Sequence, residues 1–536
     1  MLKTSLLSQF RSTPQLYFVR FKNPTKMAKK NFALEHVQKM RNARRQNFGQ
    51  MAPANVYFQV LGNGAEGGPK SLFLFTSHNR YLFNCGEGTQ RIASEFTGSK
   101  SLAQLCNIFI TKKSWENIGG LPGMCLSVRT TGCPDIRLHG PDGMMKIYEA
   151  TKHFVILHQF GVQFHSALDG QFEDPVLKVN HVPLKPFNSP PLISPDPKYC
   201  NWNSDIQSVD ESKPEIDQTV MSYILTFKGK TGKINMEKCR QLGLKPGPII
   251  GLLKKGQMVT LEDGREIHPH QVQYPEEAEM EYLIVDCPSQ DYLDPLLNEI
   301  KLKAENLDKI QGIFHFSPLN VIEDERYSTW MNSFSGDIKN VMLNEASEGY
   351  GTVDGLRYNA QLHTVCPEVY KKILAKEPGK ISDYTKIKGP LIQAKTNMKI
   401  HVRPFEKEVK EPVEFNENEL EFTKEFTSEL AESRKQVKVA LKKNENEPEF
   451  PKVTFLGTGS SVPNKYRNVS SILIESSLNS YVILDCGEGS LLQLHRHFGR
   501  QKSLEILRQL KGIYISHLHA DHHLGKIDWV ILCQMD

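Results

Sequence analysis

The chain has 536 residues, enough for three or four domain-sized units at roughly 150 residues each, or for two large ones. Charged residues make up 24% and hydrophobic residues 39%, and no apolar run approaches the ~18 residues of a membrane helix, which excludes a helical membrane protein and a wholly disordered chain. Ten cysteines with no CxxC pair exclude a disulfide framework, point to a reducing compartment and argue against a metal held by thiolates.

The net charge of +5 is unevenly placed, because residues 1–50 hold 11 Lys/Arg against one acid, Glu35, and the rest of the chain is net acidic. The start mixes Leu, Phe, Ser and Thr with Lys3, Arg11, Arg20 and Lys22 and lacks the continuous apolar stretch of a secretory signal. It predicts a mitochondrial presequence for a product begun at Met1, and a nuclear or cytosolic product begun at Met27. A disordered basic tail is the alternative.

From residue 52 an internal repeat organises the chain. VYFQVLGNG near residue 56 is followed by SLFLFTSHNRYLFNCGEG (71–88) and LCNIFITKKSWENIGGLPG (105–123). VTFLGTGSS near residue 453 is followed by SSILIESSLNSYVILDCGEG (470–489) and LKGIYISHLHADHHLG (510–525). Each copy predicts strand, turn, strand pair, helix, strand and loop, and in the second copy the helix is LLQLHRHFG, closed by Gly499. The copies divide the chain into 52–405 and 452–536. Between them, residues 406–450 carry 13 acids and 8 bases and predict a solvated linker with one helix around 425–443. Residues 228–265 carry 9 Lys/Arg against 3 acids around GLKPGPIIGLLKKG, and predict a projecting segment, about 228–270, with no core of its own.

The chemistry concentrates in SHLHADHHLG, where His517, His519, Asp521 and His522 follow an apolar strand. In an extended segment His517 and His519 share one side, and a turn then brings Asp521 and His522 to a neighbouring point. Imidazole and carboxylate are the ligands zinc accepts without cysteine, and two adjacent ions suit phosphodiester cleavage. His495 and His497 predict helix-surface histidines, since i and i+2 do not share a face. His315, in FHFSP, has no partner at ligand spacing and predicts a structural role.

HxHxDH after a strand, preceded by the DCGEG turn at 485–489, resembles the metallo-β-lactamase superfamily. Pro463, Lys465, Arg467 and Asn468 in GTGSSVPNKYRN resemble the PxKxRN loop of ribonuclease Z, the tRNA 3′-processing endonuclease, and a repeat with a degenerate first copy resembles its long form. The resemblance implies an α/β fold of tandem αββα sandwiches, the second incomplete, and two Zn2+ ions per complete catalytic domain. It also implies Asp521 as ligand and candidate base, and precursor tRNA as substrate, with no membrane or DNA partner and a monomeric long form. Lys112, Ser114, Glu116 and Asn117 align with the four metal residues, so the first half is expected to hold no zinc and to bind substrate instead. The basic insertion resembles the family's arm, with Gly247 and Pro248 at its tip and Lys254 and Lys255 facing phosphates. Because Asp536 follows His522 by 14 residues, the later ligands of such a domain are expected to be missing, and a non-catalytic tRNA-binding isoform is the alternative to the endonuclease.

Overall fold

Three antiparallel strands, β1 (Val56–Asn63), β2 (Lys70–Thr76) and β3 (Arg80–Phe83), open the first copy. Their β-branched and aromatic residues suit strands buried on both faces. In this computed structural model the described residues lie within 53–525, apart from loop segments of which the longest are 187–198, 202–217, 375–386 and 413–423. The presequence reading at 1–50, with Met27, lies outside the described residues. All described residues fall in one compact unit, Phe48–Asp536.

After β3 the chain turns at Asn84, enters helix α1 (Thr89–Phe96) and returns as β4 (Leu105–Phe109), parallel to β3. Strands β5 (Asp135–Gly140) and β6 (Gly161–Ser166) continue this sheet, which Lys399–Arg403 extends beyond β1 and Tyr199–Asn201 beyond β6. A second sheet holds β7 (Leu177–Leu184), β8 (Val220–Phe227), β9 (Met280–Val285), β10 (Ile310–His315) and β11 (Lys339–Met342), flanked by Gln171–Glu173 and Leu391–Gln393. Phe58, Val60, Leu72, Leu74, Phe83 and Phe109 on one sheet meet Tyr223, Leu225, Tyr282 and Phe314 on the other. Phe58 lies 4.6 Å from the Phe314 ring and 5.2 Å from that of Tyr282, within the range where aromatic pairs add to area burial. Ile92, Leu121 and Met124 cover the outer face of the first sheet, and Leu296, Ile300 and Trp330 that of the second. The first copy is therefore an αββα sandwich.

The second copy repeats the backbone closely. Strands β12 (Lys452–Gly457), β13 (Ser471–Ser477), β14 (Ser480–Cys486) and β15 (Leu510–Tyr514) pair antiparallel, antiparallel and parallel, as β1 to β4 do. The register shifts between Phe455 and Gly457 as it does between Val60 and Gly62, and both positions require glycine, because a Cβ would meet a carbonyl oxygen at 1.7 Å at Gly457 and 2.1 Å at Gly62. Asn84 and Asp485 turn at φ of 58° and 57°. Helix α3 (Ser490–Phe498) ends at Gly499, as the sequence predicts, and with Arg500–Arg508 it covers one face through Leu491, Leu494, Ile506 and Leu507.

The other face differs. Phe58 and Val60 are fully buried beneath the second sheet, whereas Val453 and Phe455 at the matching positions are 51% and 58% exposed. The linker carries the expected helix, Lys424–Lys443.

The basic insertion corrects the expectation that it packs no core. Helices Met236–Gln241, Pro248–Lys254 and Pro269–Val272 and the hairpin Val259–Thr260/Glu266–Ile267 enclose Cys239, Leu244, Leu253, Ile267 and Val272. The surrounding lysines and arginines dilute this short apolar pattern in the sequence. Gly247, Pro248, Lys254 and Lys255 are all exposed, so the basic tip faces solvent.

Candidate metal centre and RNA-binding loop

Strand β15 delivers the metal motif, and the turn after it sets the geometry. His517 lies in the bend beyond the strand, and His519 stands in extended conformation before the short helix Ala520–His523, which carries Asp521 and His522. The side chains form two pairs. His517 Nε2 lies 3.0 Å from His519 Nδ1, and His522 Nε2 lies 3.4 Å from Asp521 Oδ2. Zinc bonds of ~2.0–2.1 Å place tetrahedral ligands ~3.3 Å apart, so each pair matches one edge of such a site. The donor chemistry fits zinc, two ligands to each ion. Among the described residues no group of three or more His, Cys, Asp or Glu converges on one ion.

Two contacts aim these groups. Asp521 Oδ2 accepts the Ser461 N–H at 2.7 Å, which ties the metal motif to the loop after β12. Asp485 accepts from Ser516 N at 2.8 Å, from Ser516 Oγ at 2.9 Å and from His522 Nδ1 at 2.6 Å. Burial pushes the Asp485 carboxyl up, but the bonds from Ser516 and His522 outweigh it and hold the pKa below the ordinary value. With Nδ1 donating to Asp485, a neutral His522 would offer its Nε2 lone pair to an ion shared with Asp521. Asp485 lies inside the DCGEG motif, yet the sequence assigns it no role. The signal that could have found it is the repeat, because Asn84 takes its place in the first copy.

In that copy Asn84 Oδ1 accepts the Thr111 N–H at 2.8 Å, as Asp485 accepts that of Ser516. Asn117, in the place of His522, donates to Thr111 Oγ1 at 2.8 Å. Lys112 and Glu116 line a cavity of about 360 Å3 with Lys70, Asn117, Asp286 and Glu345. The backbone of the second copy's candidate metal motif is repeated there, with the Lys112 ammonium and the Asn117 amide at positions where imidazoles stand in the second copy. His315 is packed in the core, its Nδ1 2.7 Å from Tyr327 Oη and its Nε2 3.2 Å from Asn340 Oδ1, and burial pushes its pKa down to about 4. His495 corrects the surface reading, since α3 packs between the two copies and leaves it 4% exposed. His497 is also largely covered, and burial takes its pKa to about 4.

The loop 463–468 stands beside the metal motif. Asn464 Oδ1 accepts the N–H groups of Tyr466 and Arg467, each at 3.0 Å, and the resulting turn leaves Arg467 exposed and Lys465 partly exposed, with Pro463 and Asn468 buried at its two ends. Lys465 Nζ lies 2.9 Å from Asp354 Oδ2, in helix α2 (Val353–Val365) of the first half. The two positive side chains and the metal motif thus share one edge of the second copy.

Both copies are similar to known proteins. Residues 65–120 match the family model described as tRNase Z endonuclease, and residues 451–535 match that of the anti-Pycsar protein Apyc1. The chain is 35% identical over 519 residues to the mitochondrial ribonuclease Z of Drosophila melanogaster, covering 91% of this chain and 64% of that protein. It is 31% identical over 513 residues to the zinc phosphodiesterase ELAC protein 2 of Homo sapiens, covering 88% of this chain and 60% of that one. The chain therefore spans less than two thirds of the length of these relatives. The crystal structure of a long-form RNase Z from yeast shares the fold at a TM-score of 0.58 and 20% identity, over 90% of this chain and 69% of that one. The repeat and the fold agree with these relatives: over 88–91% of its length the chain is similar to the mitochondrial ribonuclease Z and the zinc phosphodiesterase ELAC protein 2, and it shares its fold with the long-form RNase Z of yeast.

Proposed function

We propose that the chain serves zinc-dependent endonucleolytic removal of the 3′ trailer from precursor tRNA, leaving a 3′-hydroxyl on the tRNA. The observation that carries this reading is the bond from Ser461 N to Asp521 Oδ2, which fixes the candidate metal motif against the loop bearing Lys465 and Arg467. A scissile phosphodiester held by those two cations would lie beside the metal-binding groups. His517 with His519, and Asp521 with His522, would hold the two zinc ions. Bound zinc would lower the pKa of a water and stabilise the leaving oxygen. Asp485 keeps His522 in the tautomer a ligand needs, and Asp521 is the candidate base.

The segment 52–405 is proposed as the RNA-binding half, with Gly247, Pro248, Lys254 and Lys255 meeting phosphates of a folded RNA by charge. Residues 406–450 would link it to the metal-binding segment 452–536. Among the described residues two candidate ligands stand for each ion, which favours a second reading, a tRNA-binding form with little cleavage. Zinc content and trailer cleavage decide between them. The second reading expects weak zinc binding and little trailer cleavage, and tight binding of two zinc ions together with cleavage would contradict it. Mitochondrial delivery by residues 1–40, and nuclear or cytosolic residence of a product begun at Met27, are tested with reporter fusions, where a diffuse signal from the 1–40 fusion would end the targeting reading.

A further inference from the structure

The two copies meet through exchanged glutamates. Glu87, in the turn before α1, accepts the N–H of Gly489, and Glu488, in the matching turn before α3, accepts that of Gly88 at 3.3 Å. Leu524, beyond the metal motif, joins the apolar core of the first copy. This near-symmetric contact places α1 directly against the RNA-binding loop. Arg91 of α1 is 6% exposed, and burial pushes its pKa down to about 10 despite the opposing effect of Glu95. A buried guanidinium is costly unless its donors are used. Arg91 uses them across the interface: Nε donates to Asn464 O at 3.1 Å, and Nη1 donates to Gln493 Oε1 at 2.8 Å. Gln493 Nε2 in turn donates to Leu456 O at 3.0 Å, at the end of β12. One side chain from the metal-poor half therefore ties both approaches to the loop.

A second tie lies one turn further along α1. Glu95 Oε1 accepts the Asp354 N–H at 2.8 Å, and the Asp354 carboxylate faces Lys465 Nζ at 2.9 Å and Arg357 Nη1 at 3.0 Å. Lys465 also stands over the Tyr466 ring at 4.8 Å, and that ring lies 5.7 Å from Tyr358 of α2. The first half thus fixes the loop backbone through Arg91 and the lysine through Asp354.

We propose that Arg91 is a positioning residue for RNA binding, acting from the first half by holding the turn 464–467 so that Lys465 and Arg467 present their charges together. This rests on the proposed function for its substrate. Arg91 need not touch RNA.

The test uses the full chain, with hydrogen exchange and precursor tRNA binding read in parallel and thermal unfolding recorded for every variant. Arg91→Ala should speed exchange at the Tyr466 and Arg467 amides and weaken binding about fivefold, the effect of removing one oriented hydrogen bond. Gln493→Ala should shift the same amides to a smaller degree and covers the case in which Arg91→Ala fails to fold. Combined with Lys465→Ala and Arg467→Ala, Arg91→Ala should add no further loss of affinity. A fall in unfolding temperature with unchanged exchange at 466 and 467 would make Arg91 a structural residue only, and additive losses of affinity would place its effect elsewhere. If the parent chain bound no precursor tRNA, the proposed function would fall, while the exchange measurement would still decide the positioning role.

Discussion

Replacing Asp485 with Asn tests the metal centre without touching a proposed ligand. The substitution keeps the size of the side chain and one carbonyl oxygen, which can still accept the Ser516 N–H now 2.8 Å from Asp485. It puts an amide or a neutral acceptor where a carboxylate receives the His522 Nδ1 proton at 2.6 Å. Facing an NH2 group, His522 would carry its proton on Nε2, and the nitrogen directed at Asp521 would lose its lone pair. Loss of such a carboxylate–histidine pairing lowers metal affinity by roughly 10–100-fold, or about 1.4–2.7 kcal/mol. The effect should fall chiefly on the ion of Asp521 and His522, since Asp485 bonds His522 directly and reaches His517 through Ser516 Oγ, 2.9 Å from Asp485 and 3.0 Å from His517 Nδ1. Cobalt or zinc titration of the two chains, with binding enthalpies read by calorimetry, should show one class of site weakened by that factor and the other retained. Equal metal affinities for both chains would refute the argument that Asp485 sets the His522 tautomer.

Three further outcomes follow from other parts of the chain. His315 has its folded pKa depressed to about 4 from 6.5, so its contribution to stability is full above pH 6.5 and is lost as pH falls toward 4, up to about 3 kcal/mol. Urea titrations of His315→Gln should accordingly lose less stability between pH 6.5 and 4 than the parent, and parallel losses would contradict this. Lys254→Ala with Lys255→Ala should weaken RNA binding and flatten its salt dependence by about one unit of log–log slope for each phosphate left without its lysine, whereas an unchanged slope would leave the arm as an ordinary surface. The exposed face around Val453 and Phe455 should bind a hydrophobic dye, and Phe455→Ser should reduce the signal, because an apolar sheet face of this kind is covered in the first copy.

The parts of this molecule legible in the sequence are those written locally. Strand, turn and strand recur with the same residues, so the equivalence of β1–β4 and β12–β15 follows from the motifs, down to the shared turn at Asn84 and Asp485. HxHxDH is readable because four donors sit within six residues, and the helix at Lys424–Lys443 because its charges are regularly spaced. What spacing does not carry is contact between distant segments. Nothing in the spacing sets Arg91 of α1 against Asn464, and His495 reads as exposed until α3 is placed between the copies. Asp485 is within the quoted motif, but its role depends on Ser516 and His522, which arrive 31 and 37 residues later. The small core of the arm, Cys239 to Val272, is hidden because its apolar residues come from short elements separated by charged turns.

The central claim is that the metal chemistry resides in the second copy and that the first copy keeps only its backbone. The most direct measurement is the zinc bound by the purified chain at rising zinc concentration, compared between His517→Ala, His519→Ala, Asp521→Ala and His522→Ala combined and Glu116→Gln with Asn117→Ala. The first set should abolish specific binding, and the second should leave it unchanged. Zinc retained by the first set, or lost from the second, would contradict the claim.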